Sequence, residues 1–203
     1  MHGDAVEYLA GVSPAQFDVV LTSPPFKPED VDGAYWELYE VVHDALLQAA
    51  RRVVFIVQSA THLNTLLSRY QPDRTMVWGK QVSQYPYRYN PILCFQVDED
   101  YNINKRIWTD AIGIPSVPPG EKTHKYQDPV RLYRTVLDMV GNCDSVLDPF
   151  MGSGTTMVAA QQVGMNAVGV DNEWTCIETA KQRLQQQTLT TSTTVEITST
   201  LNE

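Results

Sequence analysis

Apolar and polar positions follow two rhythms along this chain. Short apolar runs, FDVVLT (17–22), RVVFIVQ (52–58), SVLDPF (145–150) and NAVGVD (166–171), predict buried strands. Between them, helical spacing takes over. In GAYWELYEVVHDALLQAA (33–50), Tyr35, Leu38, Val41, Val42, Ala45 and Leu46 form one stripe. Residues 60–70, 129–140, 155–163 and 173–187 predict further helices. Pro129 suits a first helical position, with Asp128 as the expected N-cap. RTMVWGK (74–80) and PILCFQV (91–97) predict two strands joined by a polar, aromatic loop, an antiparallel hairpin at one sheet edge. Residues 98–128 lack periodicity and read as a long irregular loop, which in a compact domain usually has a function. The Thr/Ser-rich tail 188–203 contains TVEIT (194–198), with strand alternation. Strand–helix alternation at both ends implies an α/β fold, a doubly wound, mainly parallel sheet with helices on both faces.

A chain of 203 residues, 43% hydrophobic, suits one domain. No apolar run approaches a membrane span, and the first residues lack the pattern of a signal peptide. A cytoplasmic location is expected. Cys94, Cys143 and Cys176 show neither disulfide nor zinc spacing, and no metal is expected. The net charge of −9 excludes general phosphate binding by the whole surface. Residues 80–134, however, carry eight Lys/Arg against six Asp/Glu. A nucleic-acid contact is therefore expected only there.

VLDPFMGSGTT (146–156) carries the strongest cofactor signal. A strand feeds a turn containing Gly152 and Gly154, then a helix. A nucleotide P-loop would need a lysine that is missing, and a dinucleotide fingerprint would need a glycine where Met157 stands. A loop for S-adenosylmethionine needs neither. Asp148, at the strand end, is placed to take the methionine ammonium. Asp171, at the end of the next strand, is placed for ribose hydroxyls or for capping the following helix.

TSPPF (22–26) is the second signal. Proline holds the preceding residue extended, and two prolines remove two N–H donors. The turn can offer carbonyls and the Ser23 hydroxyl to an amino group, with Phe26 as a stacking ring. Such acceptors suit a nucleobase amine, whose lone pair is delocalised into the ring. The base would have to be flipped out of a duplex or single-stranded. By itself the turn also fits a plain proline-rich strand end.

TSPPF and DPFMGSGTT together resemble the DNA amino-methyltransferases, in the circularly permuted class where the catalytic turn precedes the cofactor loop. GDAVEYL, VWGK, THKYQDPVRLYRTVL and AVGVDNEWTCIETAKQRL fit the same order. The resemblance implies a seven-stranded Rossmann-like methyltransferase sheet, S-adenosylmethionine as cofactor and DNA as partner, and it leaves a homodimer open. It implies a single domain over 1–203: a catalytic half (1–97), a short target-recognition loop (98–128), a cofactor half (129–187) and the tail. Ser23, Pro24, Pro25 and Phe26 would form the catalytic turn. Asp4, Thr22, Asp148, Pro149, Phe150, Gly152, Ser153, Gly154, Thr155, Asp171 and Asn172 would hold the cofactor. Segment 124–131 would pack beside its methionine end. On the hairpin, Trp78, Lys80, Tyr85 and Arg88 would meet the substrate, as alternatives to plain loop packing. A serine in the turn resembles the cytosine-N4 members, with direct methyl transfer. An adenine-N6 enzyme and a catalytically silent binding protein are the alternatives. Three departures stand out. The region where the target-recognition module usually lies, roughly 98–123, is very short. Asp128 occupies a position where the family commonly has lysine, and the strand expected before GDA is missing. TVEIT is expected to take that strand's place.

Overall fold

The computed structural model describes residues 1–25, 35–80, 88–101 and 109–188. The elements in chain order are α1 (Ala5–Ala10), β1 (Phe17–Thr22), α2 (Tyr35–Ala49), β2 (Ala50–Val57), α3 (Leu63–Tyr70), β3 (Arg74–Gly79) and β4 (Tyr89–Gln96). They continue with β5 (Ala111–Gly113), α4 (Val130–Met139), β6 (Ser145–Asp148), α5 (Thr155–Val163), β7 (Asn166–Gly169) and α6 (Trp174–Thr188). Seven strands form one sheet in the order β5-β3-β4-β2-β1-β6-β7.

Alternation along the strands builds two cores. On one face Val19, Leu21, Val53, Phe55, Met76 and Ile92 pack with Leu132 and Val136 of α4, Met157 of α5 and Ile177 of α6. On the other, Val20, Val54, Ile56 and Leu93 pack with Tyr39, Val42 and Leu46 of α2 and Leu66 of α3. Both faces are covered, so β1 is buried at all six positions. Each fully buried aliphatic side chain contributes about 1.5–3 kcal/mol.

β1 pairs in parallel with β2 and β6, and β6 in parallel with β7. Their C-terminal ends therefore open on one edge. Asp18 ties the opposite edge together: its carboxylate accepts from Arg51 (3.1 Å), the Asp144 N–H (2.9 Å) and the Ser145 hydroxyl (3.1 Å).

The antiparallel pair is not the sheet edge. β4 is antiparallel to both β2 and β3, and β5 adds in parallel outside β3. β5 lies within the stretch read as irregular; with three residues and Ile112 alone buried, it has no periodic signal. Asp128 is not the N-cap of α4. Pro129 holds that position, with extended backbone and no side-chain cap, and the Asp128 carboxylate turns to Tyr133 instead. The sheet position beside the end of β7 is taken by the first residues. Gly3 N–H donates to the Asp171 carbonyl and Asp171 N–H to the Met1 carbonyl, each at 3.0 Å. TVEIT lies outside the described residues.

Candidate active site

Three strand ends supply the site. β6 ends at Asp148 and passes through Pro149–Gly154 into α5. The loop is fastened at both ends, by Met151 N–H to the Val170 carbonyl (3.0 Å) and Gly154 N–H to the Met151 carbonyl (2.8 Å). Arg183 of α6 clamps it from outside, donating to the Ser153 carbonyl (2.7 Å) and hydroxyl (2.9 Å).

The two loop glycines do different work. Both have positive φ, +51° at Gly152 and +78° at Gly154. A Cβ on Gly152 would meet nothing within 4 Å, whereas one on Gly154 would lie 2.6 Å from the Ala180 Cβ. Gly154 thus lets α6 cross α5, and it does not line the cavity. Gly154→Ala is expected to lower unfolding free energy by about 2–4 kcal/mol, from left-handed strain plus overpacking. Gly152→Ala is expected to lose only about 1 kcal/mol. Chemical denaturation of both variants checks this; equal losses would contradict the packing role.

Asp148 is a buried hub. Its Oδ1 accepts from the Thr22 hydroxyl (2.7 Å) and Phe150 N–H (3.1 Å), and its Oδ2 accepts from the Thr156 hydroxyl. Three of roughly four acceptor positions are thus used internally. Burial pushes its carboxyl up to about 6, against the pull of these three donors. Thr22 is fully buried and reaches the cavity only through Asp148.

Asp171 takes up the capping position read from the sequence and lines the cavity. Its Oδ2 accepts from Gly152 N–H and its Oδ1 from Glu173 N–H, each at 2.9 Å. One carboxylate thereby ties the glycine loop to the turn entering α6. Asp4 caps α1, with Oδ1 accepting from Val6 N–H (2.8 Å) and Glu7 N–H (3.1 Å).

A cavity of about 540 Å³ joins these parts. Its wall includes Ser23, Pro24 and Pro25 from the turn after β1, and Asp148, Pro149, Phe150, Gly152, Ser153 and Thr155 from the glycine loop and α5. Asp4, Asp171 and Asn172 complete that side. The volume lies in the range of small-molecule sites. Among the described residues, five carboxylates line it, Asp4, Asp128, Asp148, Asp171 and Glu173, with no lysine or arginine. This donor set suits a cationic ligand with hydroxyl groups and repels a phosphate. It fits S-adenosylmethionine, which carries a sulfonium and an ammonium. Among the described residues no cluster of three or more His, Cys, Asp or Glu could hold a metal, and no helix is long and apolar enough to cross a membrane.

The hairpin residues stand apart. Trp78 is a core residue: it is fully buried and its Nε1–H donates to the Ile114 carbonyl at 2.7 Å. Alternation in β3 puts Met76 and Trp78 on the same inward face, and Trp78 does not line the cavity. Lys80 is half-buried with Nζ over the Trp78 ring, and Arg88 is exposed; neither lines the cavity. Phe26 and Tyr85 lie outside the described residues.

Sequence reasoning missed Tyr133. It sits on α4, is buried and lines the cavity, and its hydroxyl donates to Asp128 Oδ2 at 3.1 Å. Its spacing with Leu132 and Val136 is that of a core stripe, which hides the polar end.

The sheet order, the glycine loop and the shared cavity define an α/β protein of the methyltransferase fold. Residues 68–182, more than half of the chain, match the N6/N4 DNA methylase family, and the chain belongs to that family. Type II methyltransferase M2.MboI of Moraxella bovis is 32% identical over 117 residues, covering 56% of this chain and 41% of that protein. Type II methyltransferase M.HinfI of Haemophilus influenzae is 40% identical over 117 residues, covering 55% and 32%. The chain thus matches well under half of the length of these relatives. Among solved structures, the candidate DNA modification methylase TTHA0409 of Thermus thermophilus, complexed with S-adenosyl-L-methionine, superposes with a TM-score of 0.73. It is 21% identical, and the match covers 97% of this chain and 98% of that one. The cytosine-N4-specific PvuII DNA methyltransferase gives 0.73 at 15% identity, covering 90% and 84%. These likenesses define the shared fold.

Proposed function

We propose that this protein is an S-adenosylmethionine-dependent DNA methyltransferase acting on the exocyclic N4 amine of cytosine. One observation carries the proposal: the Ser23-Pro24-Pro25 turn and an acidic, cation-suited glycine loop line one cavity. Bound S-adenosylmethionine would supply an electrophilic methyl group on a sulfonium. The chain's residues do the rest. Asp148 offers its remaining acceptor position to the ammonium. Asp171 and Asp4 offer carboxylate oxygens to the ribose and adenine ends, beside Asn172. Pro149, Phe150, Ser153 and Thr155 shape the wall between.

On the other side, the Ser23 hydroxyl and the carbonyls of the turn accept the two amine N–H bonds. That aims the nitrogen lone pair and replaces water by fixed dipoles. Phe26 would stack on the base. The choice of cytosine rests on Ser23. Lys80 and Arg88, at the hairpin base, would meet phosphates, and the 98–128 segment would meet neighbouring bases.

The test pairs two measurements. Titration calorimetry with S-adenosylmethionine should show binding at one site. Labelled methyl should then pass from the cofactor to unmethylated duplex or heat-denatured DNA. Binding without transfer would select the silent binding protein, and neither would overturn the assignment.

A further inference from the structure

The cavity wall also holds a chain of three oxygens, on Ser23, Tyr133 and Asp128, that links the turn after β1 to α4. The Ser23 side chain is a hydrogen-bond partner of the Tyr133 hydroxyl; the single Tyr133 proton goes to Asp128, so Ser23 is the donor. The Tyr133 hydroxyl donates in turn to Asp128 Oδ2 at 3.1 Å. All three residues line the cavity. Ser23 thus donates to Tyr133 and Tyr133 to Asp128, which leaves the Ser23 lone pairs for an N–H donor.

Methyl transfer to an amine creates a proton problem. The nitrogen lone pair forms the new N–C bond, and the bond pair of the departing methyl stays on the donor's sulfur. The nitrogen then carries one proton too many and a positive charge. We propose that Ser23, Tyr133 and Asp128 form a relay that removes this proton: from the amine to Ser23 Oγ, from Ser23 to Tyr133 Oη, and from Tyr133 to Asp128 Oδ2. Three O–H bonds form and two break along the relay, while one N–H bond is lost, so charge and protons balance. The relay rests on the methyltransferase reading above, since it needs an amine at Ser23. Tyr133 and Asp128 are positioning residues acting through Ser23.

The surroundings of Asp128 suit an acceptor. The Thr155 hydroxyl donates to its carbonyl at 3.4 Å, which fixes it against the first turn of α5. Lys80 at the end of β3 and Lys122 in the preceding loop face it as cations, and Tyr133 faces it from α4. Burial, opposed by Lys80, Tyr133 and Lys122, brings its carboxyl up to about 6. It is therefore ionised at neutral pH, yet more basic than an exposed carboxylate, as a proton acceptor should be. A lysine at this position could not accept the proton while charged.

The experiment uses the full chain, single-turnover methyl transfer at saturating S-adenosylmethionine, and random-sequence DNA. The wild-type rate should rise up to tenfold per pH unit below about pH 6 and then level. Asp128→Asn should lower the plateau about 10- to 100-fold and remove that limb, and Tyr133→Phe should lower it similarly, with cofactor affinity by calorimetry within about twofold of wild type. A second readout needs no turnover. In cofactor-free protein carrying 13C-labelled aspartate, the Asp128 carboxyl signal, assigned by its loss in Asp128→Asn, should titrate near 6. In Tyr133→Phe its midpoint should move up, because a donor to the carboxylate is gone. Unchanged rates and pH profiles in both variants, or a loss confined to cofactor affinity, would overturn the relay. So would a carboxyl midpoint near the ordinary value of about 4. A wild-type protein that methylates nothing would instead sink the methyltransferase reading, while the NMR titration still reports on the Tyr133–Asp128 pair.

Discussion

Asp148→Ala is expected to lower affinity for S-adenosylmethionine about 100-fold or more and to destabilise the fold by about 2–4 kcal/mol. The stability loss follows because Phe150 N–H and two buried hydroxyls lose their acceptor, and unsatisfied buried donors cost about 1–3 kcal/mol each. The hydroxyls can turn to other acceptors, which keeps the total below the full sum. The affinity loss follows from removing the fixed negative charge opposite a bound ammonium. Asp148→Asn separates the two effects. Its amide can still accept from Thr22 and can donate to Thr156, so stability is largely kept while the charge is gone.

The pH dependence gives the same answer from another side. The Asp148 carboxyl rises from its ordinary 3.8 to about 6 on folding. Folded protein therefore holds this proton more tightly than unfolded protein. Its contribution to stability is complete below about pH 4 and is lost as pH rises through 6. Cation binding runs the opposite way. Affinity should weaken as pH falls through 6, by at most about tenfold per unit for this one group, and Asp148→Asn should flatten that slope. A wild-type affinity that stays constant from about pH 7 to about pH 5 would contradict an anionic Asp148 at the ammonium.

Ser23→Ala is expected to lower the rate of methyl transfer about 100-fold while leaving cofactor affinity within about twofold. Ser23 lines the same cavity as the glycine loop. Loss of its hydroxyl removes one acceptor for the amine and the donor to Tyr133. The prolines keep the turn, so folding should be unaffected. Full activity in Ser23→Ala would remove both roles assigned to this hydroxyl.

The main frame of this fold is readable because its strands are unbroken apolar runs and its helices have one apolar stripe. FDVVLT is found where the pattern puts it. The departures have identifiable causes. β5 is too short to have a period. The hairpin setting of Trp78 suggests a substrate contact, although its alternation with Met76 already points inward. Asp128 before Pro129 has the signature of a cap, but the proline carries the extended backbone itself. That frees the carboxylate for a tertiary partner, Tyr133, five residues on, which no local rule names. The glycines read together as a cofactor loop, and only the packing of Ala180 separates Gly154 from Gly152.

The site brings together residues far apart in the chain because β1 and β6 are parallel neighbours. Thr22 at the end of one bonds Asp148 at the end of the other, so the Ser-Pro-Pro turn and the glycine loop share a hydrogen-bonded base. In the proposed reaction that coupling would set the distance between the methyl donor and the acceptor amine.

The most direct measurement is the identity of the product. Unmethylated DNA is incubated with this protein and methyl-labelled S-adenosylmethionine, digested to nucleosides and separated by mass. N4-methylcytosine as the labelled nucleoside is the predicted result; label in N6-methyladenine, or in no nucleoside at all, would contradict the account.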